Sequence, residues 1–126
     1  MSFSFSRHEK LKSRTVIDQL FSEGKSISKF PVKLFYIPLD EAQSDRLKTA
    51  SLSQATFAVP KRNFKSAVTR NRIKRQMREA YRLHKHMLSD HNGKNFALLF
   101  LYISKDKSQY AQIDSSIAAL LKRLVL

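Results

Sequence analysis

The segment FPVKLFYI, residues 30–37, is apolar on both of the faces that a β-strand would present. Its aromatic and β-branched residues favour a strand, with Pro31 at its start and Pro38 just after it. Strand alternation puts Lys33, Phe35 and Ile37 on one face, and Val32, Leu34 and Tyr36 on the other. Because both faces are largely apolar, we expect protein or ligand to cover this strand on both sides.

The spacing of apolar residues along the rest of the chain predicts further strands and helices. In chain order we predict a helix over about 14–23, strands at 30–37 and 54–59, a helix over about 66–89, a central strand at 95–103 and a helix over about 108–124. Strands that are not strictly interleaved with helices indicate an α+β fold, with helices packed on a small sheet. The 126 residues are expected to form a single domain, 1–126, in which residues 1–12 form an extended arm.

The chain is strongly basic, and its charge is unevenly distributed. The formal net charge is +14, with a pI of about 10.4, which indicates nucleic acid or an anionic membrane as the partner. Between Arg46 and Lys85 lie twelve Lys or Arg residues, against Glu79 as the one acid. A hydrophobic content of 42% indicates a folded chain rather than a disordered basic tail.

The charge is densest in the stretch RNRIKRQMREAYR, residues 70–82, where six of the thirteen side chains are Arg or Lys. At about 100° per residue the helix separates into an apolar face and a basic face. The apolar face carries Ile73, Met77, Ala80, His84 and Met87, and the basic side carries Asn71, Lys74, Arg75, Arg78, Arg82 and Lys85. Like charges at this spacing repel one another, so the basic side is expected to bind an anion.

Two other interpretations explain this basic helix less well than binding of nucleic acid does: a solvated charged face and a membrane-surface helix. A solvated face would need acids for pairing, and Glu79 can reach only Arg75 and Arg82. A membrane-surface helix would need a broad apolar face with aromatic anchors, whereas this face is narrow and interrupted by Ala80 and His84. Nucleic acid is therefore the favoured partner, and membrane binding is not expected.

No constellation for protein-based catalysis is predicted. The acids are scattered, and their one cluster, at 40–45, is expected to be a solubilising loop. The candidate metal group is His84, His86 and His91, but the first two lie on different helix faces, so no protein-bound metal is predicted. Two glycines exclude a glycine-rich phosphate loop, and the absence of cysteine excludes thiolate chemistry.

The sequence also bears on location. Its longest apolar run, 96–103, is too short to span a bilayer. The start, MSFSFSRHEK, has no apolar core followed by a small-residue cleavage site, so no secretion signal is predicted. We therefore expect a cytoplasmic protein.

The segment FAVPKRNFKSAVTRNRIKRQMREAYR, residues 57–82, resembles the signature region of the bacterial ribonuclease P protein family, whose hallmark is a basic helix containing RNR. The resemblance is looser but collinear over 12–38, where a short helix ending in Phe and Gly precedes an aromatic strand. It implies an αβββαβα sandwich with a mixed sheet and a left-handed βαβ crossover. The fourth strand follows from this resemblance and not from the pattern.

The resemblance also implies a function. In this family a large catalytic RNA with bound Mg²⁺ hydrolyses the bond between the 5′ leader and the tRNA, and the protein performs no chemistry itself. The expected partners are therefore the catalytic RNA and precursor tRNA, with the protein as a monomer in the holoenzyme. A stand-alone basic RNA- or DNA-binding module, such as a ribosomal protein, is the alternative that charge alone would allow.

By motif match, six residues of the basic helix would contact the RNA subunit: Arg70, Asn71, Arg72, Lys74, Arg75 and Arg78. The leader-binding cleft of the family, formed by the first helix and a sheet face, maps onto Ile17, Phe21 and Phe35, with Lys61 and Arg62 at its edge. Lys33 shares the strand face of Phe35 and would bind a phosphate beside that ring. Ordinary core packing is the alternative for Phe21 and Phe35.

The chain departs from the family pattern at two places. Ile17 stands where many members carry an aromatic residue, so base stacking there should be weaker. The segment from Lys61 to Val68 is one residue longer than usual, and Lys65-Ser66 replaces the common Gly-Asn. The loop geometry of the family is therefore not carried over to this segment.

Overall fold

Four strands form one mixed sheet that carries helices on both faces. The computed structural model describes residues 14–38, 54–89, 96–107 and 109–125, so the predictions for 1–12 and for the acids at 40–45 lie outside the described residues. In chain order the elements are α1 (Arg14–Glu23), β1 (Lys25–Lys29), β2 (Val32–Pro38), β3 (Gln54–Ala58), α2 (Ala67–His84), the short α3 (His86–Ser89), β4 (Phe96–Tyr102) and α4 (Tyr110–Val125).

The strand order in the sheet is β1-β2-β4-β3. β1 pairs antiparallel with β2, β2 pairs antiparallel with β4, and β3 pairs parallel with β4 through a crossover that contains α2. The predicted α+β fold with a small mixed sheet is confirmed. The fourth strand is β1, whose sequence KSISK is largely exposed, with Ile27 as its one partly buried side chain. Such a strand lacks the apolar alternation that predicts the other strands.

The larger core lies between the sheet and the pair α2 and α4. Its centre is a group of three aromatic rings on β3, α2 and β4: Phe57, Tyr81 and Phe100. Their ring centroids lie 5.5 to 5.9 Å apart. Each such pair contributes about 0.5–1.5 kcal/mol beyond the burial of its area. This core therefore holds the basic helix α2 rigidly against the sheet.

Helix α2 is shorter than the predicted range of 66–89. Ser66 is its N-cap, and the Ser66 side chain accepts a hydrogen bond from the backbone N–H of Thr69 at 3.4 Å. The helix ends at His84, and α3 follows after Lys85. Neither Gly nor Pro occurs in this region, so the local sequence does not mark the break.

The apolar face predicted for α2 is confirmed at its buried positions, Ile73, Met77 and Ala80. Tyr81 is buried as well, although it lies outside the predicted face. The reason is its ring contacts with Phe57 and Phe100, which come from strands distant in sequence.

Among the described residues, α1 is the one helix that packs on the other sheet face. Val16 and Leu20 of α1 are fully buried against β2 and β4, in a cluster with Ile37, Ala97 and Leu99. α1 packs on one end of these strands, and Phe35 and Lys33 of β2 stay partly exposed on the same face. The alternation predicted for β2 is therefore confirmed, and the described residues cover this face only in part. Among the described helices, none is both long and apolar enough to cross a membrane.

Candidate nucleic-acid interface

The partly covered sheet face brings two aromatic rings and a lysine together. Phe21, in the last turn of α1, lies with its ring centroid 5.2 Å from that of Phe35 on β2, and the two planes are tilted by 56°. Phe21 is 54% exposed, so one of the two rings is largely open to solvent. The Lys33 Nζ lies 5.1 Å from the centroid of the Phe35 ring. We call this group the aromatic cleft.

The geometry of the aromatic cleft follows from simple spacing. Ile17 and Phe21 are four residues apart and therefore lie on the same side of α1, while Lys33 and Phe35 are two apart on one face of β2. Ile17 is partly buried against the same cluster as Phe35. Four of the six residues assigned to the leader cleft are thus brought to one surface. An exposed ring can stack on a base, and an adjacent ammonium can bind its phosphate.

Lys61 and Arg62 are exposed in the turn that follows β3. Ala58 of β3 pairs with Leu101 of β4, which in turn pairs with Lys33 of β2. The last residue of β3, Ala58, therefore lies level with Lys33 across the sheet, and the turn begins just beyond it. It leads to α2, which lies on the opposite face of the sheet from α1.

The basic side of α2 forms a second surface. Asn71, Arg72, Arg75 and Arg78 are exposed, and Lys74 is half-buried. Among the described residues, α2 has no acidic residue in its first turn. The unsatisfied N–H groups and the positive dipole end at this terminus add to the attraction for an anion. We call these five residues the basic surface of α2.

Arg70 differs from its neighbours. Its Nη1 donates to the carbonyl oxygens of Phe64, at 2.8 Å, and of Lys65, at 2.9 Å. The side chain is half-buried and fastens the β3–α2 connection to the first turn of α2. The motif match alone could not reveal this contact, because it joins Arg70 to backbone atoms rather than to a particular side chain.

Glu79 forms an ion pair with Arg82 of the same helix, α2. Arg82 Nε donates to Glu79 Oε2 at 3.0 Å, and Arg82 Nη2 donates to Oε1 at 2.5 Å. The hydrogen bonds from Arg82 lower the pKa of Glu79, and those to Glu79 raise the pKa of Arg82. Arg82 therefore has fewer N–H groups available to bind an external anion than the arginines of the basic surface have.

Two members of the candidate metal group, His84 and His86, lie among the described residues. Among the described residues, no three His, Asp or Glu side chains are placed to hold a metal ion. His84 Nε2 lies 2.9 Å from Asp114 Oδ1 of α4, and His86 is exposed. Asp114 is thirty residues away along the chain, so local spacing does not reveal this pair. His91 lies outside the described residues.

Comparison with known proteins decides the family. The family model of ribonuclease P matches residues 5–125. The chain belongs to the ribonuclease P protein family. The predicted resemblance is thereby confirmed over nearly the whole chain.

Curated members of this family are clearly similar in sequence. The ribonuclease P protein component of a Porphyromonas gingivalis strain is 39% identical over 89 residues, which is 71% of this chain and 61% of that protein. The chain thus spans less than two thirds of that relative. The ribonuclease P protein component of Chlorobium phaeobacteroides is 38% identical over 113 residues, 83% of this chain and 75% of that protein.

Solved structures of the family show the same fold. The ribonuclease P protein of Thermotoga maritima superposes with a TM-score of 0.70 at 22% identity, covering 91% of this chain and 96% of that one. The Staphylococcus aureus protein gives 0.67 at 22% identity, covering 92% and 94%. The order of helices and strands and the mixed sheet are therefore those of the ribonuclease P proteins.

Proposed function

We propose that this chain is the protein component of a ribonuclease P ribonucleoprotein, which removes the 5′ leader from precursor tRNA. In this role it binds the catalytic RNA through the basic surface of α2 and the leader through the aromatic cleft. One observation carries the proposal. The chain belongs to this family, and its basic surface of α2 and its aromatic cleft, which differ in chemistry, lie on opposite faces of one sheet.

The basic surface of α2 suits the backbone of a folded RNA. Arg72, Arg75 and Arg78 are exposed, and an arginine can bind phosphate oxygens through two parallel hydrogen bonds. Asn71 can donate to sugar or base edges. Since these contacts are mainly to phosphate, we expect the affinity to fall steeply with salt. Arg70 contributes less by direct contact than the motif match implies, because one of its nitrogens already binds backbone carbonyls.

The aromatic cleft suits a single strand of variable sequence. Stacking a base on an aromatic side chain contributes about 1–3 kcal/mol and depends little on which base it is. Phe21 offers an open ring, Phe35 supports that ring, and Lys33 lies within reach of the phosphates. Lys61 and Arg62 are proposed to contact the same strand at the edge of the cleft. Ile17 would contribute apolar contact in place of an aromatic stack.

The chemistry is proposed to belong to the RNA. Mg²⁺ bound by the catalytic RNA and the substrate would activate the water that attacks the phosphodiester. The described part of the protein offers no group of carboxylates or histidines for such an ion, and we assign no catalytic residue to it. The chain would act as one protein monomer per holoenzyme, in the cytoplasm.

Reconstitution tests the proposal. The full chain is added to the ribonuclease P RNA of the same organism at limiting Mg²⁺, and cleavage of end-labelled precursor tRNA is followed with and without protein. We expect the protein to increase cleavage and to cleave nothing when the RNA is omitted. No increase would show that the protein has another function. Cleavage by the protein alone would show that the chemistry was assigned to the wrong molecule.

A binding comparison separates this proposal from a general basic module. The full chain is titrated against folded ribonuclease P RNA and against duplex DNA at physiological salt. We expect a clear preference for the RNA, whereas equal affinities would favour a non-specific module.

A further inference from the structure

A third group of cations lies at the sheet edge formed by β1, apart from the basic surface of α2 and from the aromatic cleft. Lys25 and Lys29 of β1 are exposed, and so are Lys122 and Arg123 in the last turn of α4. The strand order β1-β2-β4-β3 puts this edge opposite β3, the strand that leads into α2. We call these four residues the β1 edge surface.

The two lysines of β1 lie on the sheet face that carries α2 and α4. They alternate with Ile27, which packs against the larger core, and their partners on β2 are Tyr36 and Val32 of the same core. Side chains two residues apart in a strand lie on the same face. The aromatic cleft lies on the other face of the sheet, so these lysines are not part of it.

Helix α4 is fastened to β1 at two points. The Ser116 hydroxyl donates to the carbonyl oxygen of Lys29, and Arg123 Nη1 donates to the carbonyl oxygen of Ser28 at 3.3 Å. Ser116 and Arg123 are about two helical turns, or about 10.5 Å, apart, so one side of α4 follows the edge strand. The cations of the helix and of the strand are therefore held side by side.

Little negative charge balances these cations. Among the described residues, no carboxylate forms an ion pair with the three lysines. The one acid of α4 is Asp114, which is bound to His84. The nearest acid along the chain is Glu23 of α1, which accepts a hydrogen bond from Gln19 Nε2. A cluster of cations without partners attracts a polyanion.

The chemistry of the β1 edge surface fits a phosphate backbone better than unpaired bases. Its charged groups are ammonium and guanidinium groups, which bind phosphate oxygens. Among the described residues, Phe30 in the turn after Lys29 is the one exposed ring beside them. A site for single-stranded RNA stacks successive bases on several rings, whereas double-stranded RNA presents phosphates and 2′-hydroxyls.

We propose that the β1 edge surface binds the phosphate backbone of a second, double-stranded segment of the catalytic RNA. This inference rests on the proposed function and deepens it, because it gives the RNA subunit a contact near each edge of the sheet. At about 4.8 Å between neighbouring strands, β1 and β3 lie about 14 Å apart. Two contacts at this separation fix the orientation of the protein on the RNA, which a single contact does not.

Salt titrations of binding to the isolated ribonuclease P RNA test the proposal. Lys25→Ala/Lys29→Ala removes two charges from the β1 edge surface. The control, Lys105→Ala/Lys107→Ala, removes two charges from exposed positions between β4 and α4. We expect the first variant to bind about fivefold more weakly at physiological salt, with a slope of log affinity against log salt that is shallower by about two units. The control should keep the wild-type slope, and adding Lys122→Ala to the first variant should make its slope shallower by about one further unit.

Directed cleavage identifies the RNA segment. The chain has no cysteine, so Lys122→Cys provides a single thiol for an iron chelate that cuts nearby RNA. Leu83→Cys provides the comparison, since Leu83 is 37% exposed on α2, on the sheet face away from the aromatic cleft. We expect the probe at position 122 to cut a double-stranded segment of the RNA subunit that the probe at position 83 does not cut.

Three results would overturn the proposal and leave the proposed function intact, provided that the wild-type chain still stimulates cleavage. One is an equal change of slope in the two double variants, which would show that net charge alone matters. Another is wild-type affinity and slope in Lys25→Ala/Lys29→Ala. The third is a probe at position 122 that cuts no double-stranded part of the RNA subunit. If the wild-type chain does not bind the RNA subunit, the proposed function fails and this surface fails with it.

Discussion

Arg70 donates through Nη1 to the carbonyl oxygen of Phe64 at 2.8 Å, and so joins the start of the basic helix to the connection that precedes it. The Phe64 ring packs on Tyr102 of β4, with 5.8 Å between centroids. The connection that carries Lys61 and Arg62 is thus held between α2 and the sheet. Arg70 therefore helps to fix the position of two residues of the proposed leader site.

Arg70→Ala should loosen this connection. Loss of two charge-assisted hydrogen bonds at a half-exposed site should lower the free energy of unfolding by about 1–2 kcal/mol. Amide hydrogen exchange over residues 61–66 should become faster. Arg75→Ala, at an exposed position on the same helix, is the control and should change neither quantity. Equal exchange in the Arg70 variant and the wild type would contradict the positioning role.

Arg72→Ala and Arg75→Ala should each remove about one phosphate contact with the RNA subunit. The affinity of each variant should fall, and the slope of log affinity against log salt should become shallower by about one unit. A salt titration of RNA binding measures both. Slopes equal to that of the wild type would mean that these side chains point away from the RNA.

Glu79→Gln should strengthen RNA binding. Arg82 is held by two hydrogen bonds to Glu79, and the substitution removes one negative charge and one of the two acceptor oxygens, so the guanidinium is held less strongly. RNA affinity should rise and its salt dependence should steepen. The free energy of unfolding should change little, since an ion pair at a solvent-accessible site contributes little to stability. Weaker RNA binding would show instead that the pair itself is part of the binding surface.

Tyr110→Phe should change the dependence of stability on pH. Burial, followed by the negative charge of Asp114, raises the pKa of Tyr110. The buried hydroxyl has no partner of good geometry among the described residues. A phenol with a raised pKa in the folded state resists ionisation, so the wild type loses stability as pH rises above ~10, the pKa of an unfolded tyrosine.

The measurement is the thermal midpoint of each protein at neutral pH and above pH ~10. At neutral pH the variant should match or slightly exceed the wild type, because a buried hydroxyl without a good partner is removed. At high pH it should lose less stability than the wild type. Parallel losses in the two proteins would show that the Tyr110 hydroxyl does not contribute to this pH dependence.

Hydrophobic alternation is sufficient to predict the faces of β2 and of α2. Lys33 and Phe35 are placed together because two residues of a strand that are two apart share a face, whatever the fold. β1 cannot be predicted from the pattern, because its single partly buried residue, Ile27, gives no alternation. That strand depends on pairing with β2, which is a tertiary effect.

The contacts that shape the candidate site cannot be predicted in the same way. Arg70 binds carbonyl groups, which every residue carries, and His84 binds Asp114 thirty residues away. Neither contact can be recognised from the residues that are neighbours in the sequence. The roles assigned to the site residues, drawn from the family motif, remain predictions that binding experiments must test.

The aromatic cleft is proposed to hold the leader and not the body of the tRNA. Phe35→Ala and Phe21→Ala are compared with the wild type and with Leu83→Ala, at a temperature where all four are folded, for holoenzyme binding to precursor tRNA and to mature tRNA. We predict that the two cleft variants weaken precursor binding by about 1–3 kcal/mol while mature tRNA binding is unchanged. Equal losses for precursor and mature tRNA would contradict a leader site at this surface.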